Sequence, residues 1–270
     1  MQAHVQQLVK WTAVAADVVR RPRGLVVLIY HRVGGYTPVS VDLPRPLFAE
    51  QLAALAAGWA PVSLDAAAVL LAGGAAPPGP APVCLTFDDG TADFVEEALP
   101  ELAAHGIPAA LYVATDFIET GRQFPDYGRP ASWAGLRDAV STGLVTIGSH
   151  THTHRLLDRV DGPEAAWELD RSIGLIEDRL AVTCAHFAYP KALLGSPAAE
   201  QEVRRRFRTA AVARTRPNPY GGIDLYRLNR SPVQVADGMR WFRKKAAGGM
   251  ALEDDLRVLR NRRRYAGTVT

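Results

Sequence analysis

Short apolar runs separated by stretches of helical period constrain this chain more than any other feature. Leu25 to Tyr30, Val83 to Phe87, Ala110 to Val113, Val145 to Ile147, Ala185 to Tyr189 and Ala210 to Ala213 each read as a buried strand. Helical patterns lie between them. Phe48, Leu52, Leu55, Ala56 and Trp59 follow such a period behind Pro46, and Phe94 to His105 follows another that stops at Gly106. Ser132 can cap a helix carrying Trp133, Leu136 and Val140. Trp167, Leu169, Ile173, Ile176 and Leu180 mark a long amphipathic helix from about Glu164 to Leu180, and Val203 to Phe207 is helical. Strands alternating with helices indicate a parallel sheet or barrel, and a chain of 270 residues can be one such domain. In a β/α barrel the chemistry sits where the strands end, so the residues after each run matter most.

Two strand ends stand out. Val83-Cys84-Leu85-Thr86-Phe87 runs into Asp88-Asp89-Gly90. On an extended backbone adjacent carboxylates point to opposite sides, so one can hold a metal while the other stays free as a base. An ordinary polar Asp-Gly turn is the plainer alternative. Val145-Thr146-Ile147-Gly148-Ser149 runs into His150-Thr151-His152-Thr153-His154, which gathers three of the chain's seven histidines. His150 and His154 are four apart and share a face if the segment turns helical. Two imidazoles and one carboxylate with a position left for water make the catalytic form of a zinc site, whereas a His/Thr-rich surface loop is the bland alternative.

Thr86-Phe87-Asp88-Asp89-Gly90, followed by Gly148-Ser149-His150-Thr151-His152-Thr153-His154, resembles the first two motifs of the polysaccharide deacetylases with a NodB-type domain. Phe187-Ala188-Tyr189-Pro190 is similar to that family's third motif. The likeness spans roughly Leu25 to Arg230. It implies an irregular (β/α) barrel of the NodB type and a metal-dependent hydrolase that removes an N-acetyl group from an amino sugar. Carried over residue by residue, it makes Asp89, His150 and His154 the metal ligands and Asp88 the general base. Zinc is the ion the ligand types favour, although cobalt, nickel or iron(II) suits the same donors. Tyr189, Pro190 and Lys191 fall at the substrate and oxyanion positions, with the Lys191 backbone N–H as the oxyanion donor.

The sequence departs from the family pattern in three places. The usual Leu-x-x-His acid is missing, since no histidine follows His186. His31, at the end of the first strand, is the candidate substitute, and a structural histidine hydrogen-bonded at a strand end is its alternative. Ala188 stands where the family has an arginine that pairs with the free aspartate, and Lys191 replaces an aromatic residue. Arg32 or Lys191 is then expected to orient Asp88. His152 is expected to face away from the metal.

The remaining features set the context. A net charge of +3 argues against a dedicated nucleic-acid binder. Two cysteines, Cys84 and Cys184, do not make a disulfide scaffold and read as buried small hydrophobes. Gly73 to Pro82 is a Gly/Ala/Pro surface loop, and Thr120 to Pro130 is a surface loop or a flap over the site. Residues 1–24 read as an amphipathic helix, 25–232 as the deacetylase-like domain and 233–270 as a helical extension, with helices at Val235 to Lys245 and Leu252 to Leu259. Lys10 and Asp17 interrupt the apolar stretch Leu8 to Val19, so neither a signal peptide nor a membrane span is expected and the chain is placed in the cytoplasm. The basic clusters Arg20 to Arg23 and Arg260 to Arg264 read first as solvated ends and second as weak contacts, with a membrane surface for either and with a polyanionic substrate for the C-terminal one. Besides sugar deacetylation, two functions stay open: a C–N hydrolase of another small amide, and a carbohydrate-binding relative with impaired catalysis.

Overall fold

The computed structural model describes residues 23–251. The proposed amphipathic helix at the N-terminus, the helix at Leu252 to Leu259 and both terminal basic clusters fall almost wholly outside these residues. Parallel strands β1 (Val26–Tyr30), β2 (Pro82–Phe87), β3 (Ala109–Val113), β4 (Val145–Ser149), β5 (His186–Ala188), β6 (Thr209–Ala213) and β7 (Leu228–Pro232) pair in chain order. β7 then returns to β1, which also pairs with β2, so the seven strands close on themselves. The irregular (β/α) barrel expected from the motifs is the architecture found. A two-residue strand, Ala60–Pro61, extends the sheet beside β2.

Helices α1 (Arg45–Gly58), α2 (Leu64–Ala72), α3 (Leu99–His105), α4 (Thr115–Thr120), α5 (Trp133–Ser141), α6 (Gly162–Leu180), α7 (Pro197–Arg206) and α8 (Gly238–Ala246) complete the fold. A π turn at Phe94–Ala98 precedes α3, whose end is Gly106 at φ 62°, a left-handed C-cap that suits glycine. The Ser132 hydroxyl accepts from the Gly135 N–H at the start of α5, as expected for a cap. Asp161 caps α6 in the same way through the Glu164 N–H. The C-terminal segment begins as a 3₁₀ turn, Val235–Asp237, before α8, and the indole of Trp59, at the C-cap of α1, donates to the Ala246 carbonyl at 3.0 Å.

Apart from β7, the strands are largely apolar on both faces, because one face packs on helices and the other fills the barrel. Val26, Leu28, Val83, Leu85, Ala109, Leu111, Phe187 and Val212 lie in the large cluster between strands and helices. Their neighbours Val27, Cys84, Ala110, Tyr112, Ala188, Ala211 and Leu228 form a second cluster with Leu64, Ala67 and Leu71 of α2. The interior positions are mostly small. They make room for Tyr112, and burial pushes the Cys84 thiol up to about 12. Cys84 and Cys184 are both free and buried. No helix among the described residues is long and apolar enough to cross a membrane.

Three elements escaped the sequence pattern. α2 has almost no polar face, because Leu64, Ala67 and Leu71 are buried together with the strands. α4 is only 6 residues long, too short to show a helical period. β7 is Leu-Asn-Arg-Ser-Pro, whose polar residues hide its strand character although Arg230 and Ser231 are buried.

Gly148 on β4 is a point of close approach. A Cβ there would sit 2.7 Å from both the His186 carbonyl oxygen and the Tyr112 ring. Gly148→Ala is therefore expected to lower stability by about 1–3 kcal/mol, read as a lower urea midpoint at unchanged m.

Candidate active site

By alternation along their strands, Asp88 continues the inward row of Cys84 and Thr86, and His150 continues that of Gly148. Both keep ladder bonds: the Asp88 N–H donates to the Tyr30 carbonyl at 3.1 Å, and the His150 N–H to the Val113 carbonyl at 2.9 Å. Asp89 then takes φ 75°, a left-handed conformation that aspartate tolerates better than most residues. Thr151 and His154 are left-handed as well, at φ 65° and 64°. For a β-branched residue this is strain, which persists only where the surroundings over-determine it.

Those surroundings are on α6. The buried Glu168 carboxylate accepts from the His152 N–H, the Thr153 N–H and the Thr153 hydroxyl at 2.9, 2.9 and 2.6 Å. One helical turn on, Ser172 accepts from the Ser149 hydroxyl at 2.9 Å. Residues four apart on a helix share a face, so α6 grips the histidine loop at two points. The apolar stripe of α6 marks the helix in the sequence but does not by itself single out Glu168. A glutamate on the buried side of an amphipathic helix was the available signal.

The loop brings His154 and His150 to Asp89. The Asp89 Oδ1 atom lies 3.5 Å from His154 Nε2 and 3.7 Å from His150 Nε2, and all three ligand atoms lie within 4.8 Å of one another. Ligands about 2.1 Å from a tetrahedral ion stand roughly 3.4 Å apart, so the donors are spaced for one cation. His150 Nδ1 donates to the Ala188 carbonyl at 2.8 Å, which leaves Nε2 with its lone pair. Burial, the largest effect on His150, pulls its pKa down to about 4, so the ring is neutral near pH 7. Burial alone would raise Asp89, but the hydrogen bond and charge of His154 outweigh it and hold the carboxyl well below the usual range. These residues fit a divalent metal in number, type and spacing. His152 turns the other way: its Nδ1 meets the Thr115 hydroxyl at 2.8 Å and its ring packs edge-on against Trp167.

Asp88 is not part of this triangle. Arg230 of β7 grips it with two parallel bonds, Nη1 to Oδ1 at 2.6 Å and Nη2 to Oδ2 at 2.9 Å. The guanidinium also reaches the Thr86 hydroxyl at 3.1 Å and stands 5.1 Å from the Tyr112 ring centre. Burial pushes the Asp88 carboxyl up, yet Arg230 and His150 together bring it below its ordinary value. This corrects the expectation for Arg32 and Lys191. Arg32 instead donates to the Pro125 and Asp126 carbonyls, and the Lys191 side chain is exposed. Ala188 lines the interior that the guanidinium shares, so an arginine from a different strand occupies the space.

The other expected residues divide. Tyr30 pairs with Phe87, which sets His31 alongside Asp88 at the barrel mouth. The charge of His31 acts on both Asp88 and Asp89, and its buried Nδ1 has no hydrogen-bond partner. Tyr189 is a correction. Its side chain is buried in the outer cluster, edge-on to Phe187 at 4.9 Å, and does not line the site. Pro190 is buried at the turn, and Lys191 follows it at φ 51°.

The family model described as polysaccharide deacetylase matches residues 75–206. Among solved structures, the chain is similar to the Streptococcus pyogenes deacetylase PplD in complex with acetate, at TM-score 0.74 and 19% identity over 83% of this chain and 99% of that one. IcaB from Ammonifex degensii aligns at TM-score 0.71 and 27% identity over 83% of this chain and 97% of that one. The deacetylase domain of BpsB from Bordetella bronchiseptica aligns at TM-score 0.63 and 23% identity over 77% and 95%. No curated protein matches the chain.

Removing one partner of the buried pair leaves the other charge uncompensated. Arg230→Met is expected to cost about 3–5 kcal/mol of stability, and adding Asp88→Asn to recover much of that loss, as measured by urea unfolding.

Proposed function

Because this chain belongs, through residues 75–206, to the polysaccharide deacetylase family, we propose that it is a metal-dependent hydrolase that removes the N-acetyl group from an amino sugar in a saccharide or glycoconjugate. One observation carries the reading. Asp89, His150 and His154 converge within 4.8 Å, while the neighbouring carboxylate, Asp88, is withheld from them by Arg230. A binding module has no need for an ionised, unligated acid beside a cation site. The histidine-carboxylate donor set favours zinc.

When bound, a divalent cation supplies Lewis acidity: it lowers the pKa of water towards ~7 and polarises an amide carbonyl. The chain's own groups do the rest. Asp89, His150 and His154 hold the cation. Asp88 keeps a free lone pair on each oxygen despite the Arg230 clamp, and it accepts the proton of the attacking water. The Lys191 N–H is the proposed donor to the carbonyl oxygen as it gains charge. His31 donates a proton to the departing nitrogen as the C–N bond breaks. One water is consumed, and acetate and an amine leave. Arg230 acts through Asp88, fixing its orientation and keeping it ionised.

Protein purified without chelators is expected to contain about one divalent ion per chain by elemental analysis, and acetate release from N-acetylated sugars to stop on its removal and return with it. Asp88→Asn is expected to retain the metal while turnover falls at least ~100-fold. A variant that turns over at the full rate would remove Asp88 as the base. Glu168→Ala frees the histidine loop, and is expected to weaken cation affinity about 10–100-fold in a competitive chelator titration.

A further inference from the structure

α2 closes the end of the barrel opposite Asp88 and His150. Its Leu64, Ala67 and Leu71 share a cluster with Leu25, Val27, Cys84 and Leu228, which lie towards the starts of their strands. Asp65, its one charged residue, meets His186 Nε2 at 3.2 Å and Arg208 Nη1 at 3.0 Å, and His186 is the first residue of β5. From Ala66 to Ala81 no side chain carries a polar atom. Ala66, Val69 and Ala72 recur every three residues and form an outward row on α2, with Val69 63% exposed. Half-buried Leu70, Tyr220 and Ile223 belong to the cluster beneath. A helix that is apolar all round is normally covered on every side. Among the described residues, this side of α2 is exposed.

The rest of the chain supplies an occupant. Residues 1–22 join the described part at Arg23, which is exposed, and Leu25 already lies in the cluster that holds α2. The Leu25 N–H and carbonyl both pair with Asn218, at 2.9 and 2.8 Å, and the Gly221 N–H donates to the Leu71 carbonyl at 2.9 Å. Only the short segment from Asn218 to Gly221 therefore separates the start of β1 from the end of α2. Residues 1–22 carry Val5, Leu8, Val9, Thr12, Ala16 and Val19 at helical spacing, and between Val5 and Val19 only Lys10 and Asp17 are charged. In helical form 22 residues reach about 33 Å, against about 14 Å for α2. Residues 252–270 fit the face less well. Their leucines alternate with Glu253, Asp254, Asp255, Arg257 and Arg260, and charges laid on alanine and valine find no partner.

We propose that residues 1–22 of this chain lie across the outer side of α2, with Leu8 and its apolar neighbours covering Val69, and seal the end of the barrel away from the metal ligands. The small side chains of Ala66 and Ala72 let a second helix approach closely. None of the site residues takes part, so this contact stands or falls apart from the deacetylase reading.

The test reads the reactivity of a cysteine placed on α2 in the full chain. Cys84 and Cys184 are buried, so a polar maleimide labels only the new thiol of Val69→Cys. That thiol is expected to react at least about tenfold more slowly than the one in Tyr127→Cys, at a position 84% exposed. Leu8→Asp and Val19→Asp together are expected to remove the protection while Cys84 and Cys184 stay unreactive, which shows that the barrel is still folded. Hydrogen exchange gives a second reading: amides of residues 5–19 are expected to be slowed in the wild type and to speed up about tenfold in Val69→Asp. Equal labelling at positions 69 and 127, protection that survives the two aspartates, or free-peptide exchange rates over residues 5–19 each overturn the docking. Protection lost on dilution assigns the face to a second copy of the chain, and protection gained only with anionic vesicles assigns it to a membrane. Either result also overturns it.

Discussion

The buried pair between Arg230 and Asp88 is the constraint around which the top of the barrel is arranged. Two charges taken out of water are tolerated only when their geometry is good and their remaining hydrogen-bonding capacity is met. Here the fork of the guanidinium meets both carboxylate oxygens, Thr86 takes a further N–H, and Tyr112 offers its ring face. The space for this group exists because Ala110, Gly148, Ala188 and Ala211 keep the interior narrow-walled but empty of bulk. The same pair separates the roles of two adjacent aspartates. Asp88 is held back inside the barrel, and Asp89, turned by its left-handed backbone, faces the histidines.

The histidine loop is held by different means. Thr151 and His154 sit in conformations that an isolated chain would avoid, and the loop's backbone N–H groups point at Glu168. A buried carboxylate that accepts three bonds from two consecutive residues determines a loop more tightly than a hydrophobic contact would. The turn at residues 124–128 repeats the device with the opposite charge: the buried Arg32 bonds two carbonyls and fixes Asp126 and Tyr127 in left-handed conformations. In both places a charged side chain from a neighbouring element holds a backbone conformation its own residues disfavour.

The two strand-end motifs were legible because their residue types are rare in that arrangement. Adjacent carboxylates after Thr86-Phe87 and histidines four apart after Gly148-Ser149 point to a shared centre from residue type and spacing alone. Tyr189 was misplaced because a residue next to a motif proline can face either layer of a two-layer fold, and burial in the outer cluster decided it. Arg230 was overlooked for a related reason. Its strand, β7, is mostly polar in sequence, and Arg230 is buried there in its pair with Asp88 across the barrel.

What the sequence determined by itself was the alternation of strands and helices, hence a parallel barrel, and the chemical kinds of group delivered to its mouth. Local period and residue type are properties of neighbouring positions, so they survive in one dimension. Tertiary structure alone decided which apolar residues face inward, which arginine meets Asp88, and that Glu168 and Arg32 are braces. Those outcomes depend on contacts between residues distant in the chain: Arg230 meets Asp88 across 142 positions only when β7 closes against β1, and Arg32 meets Pro125 across 93.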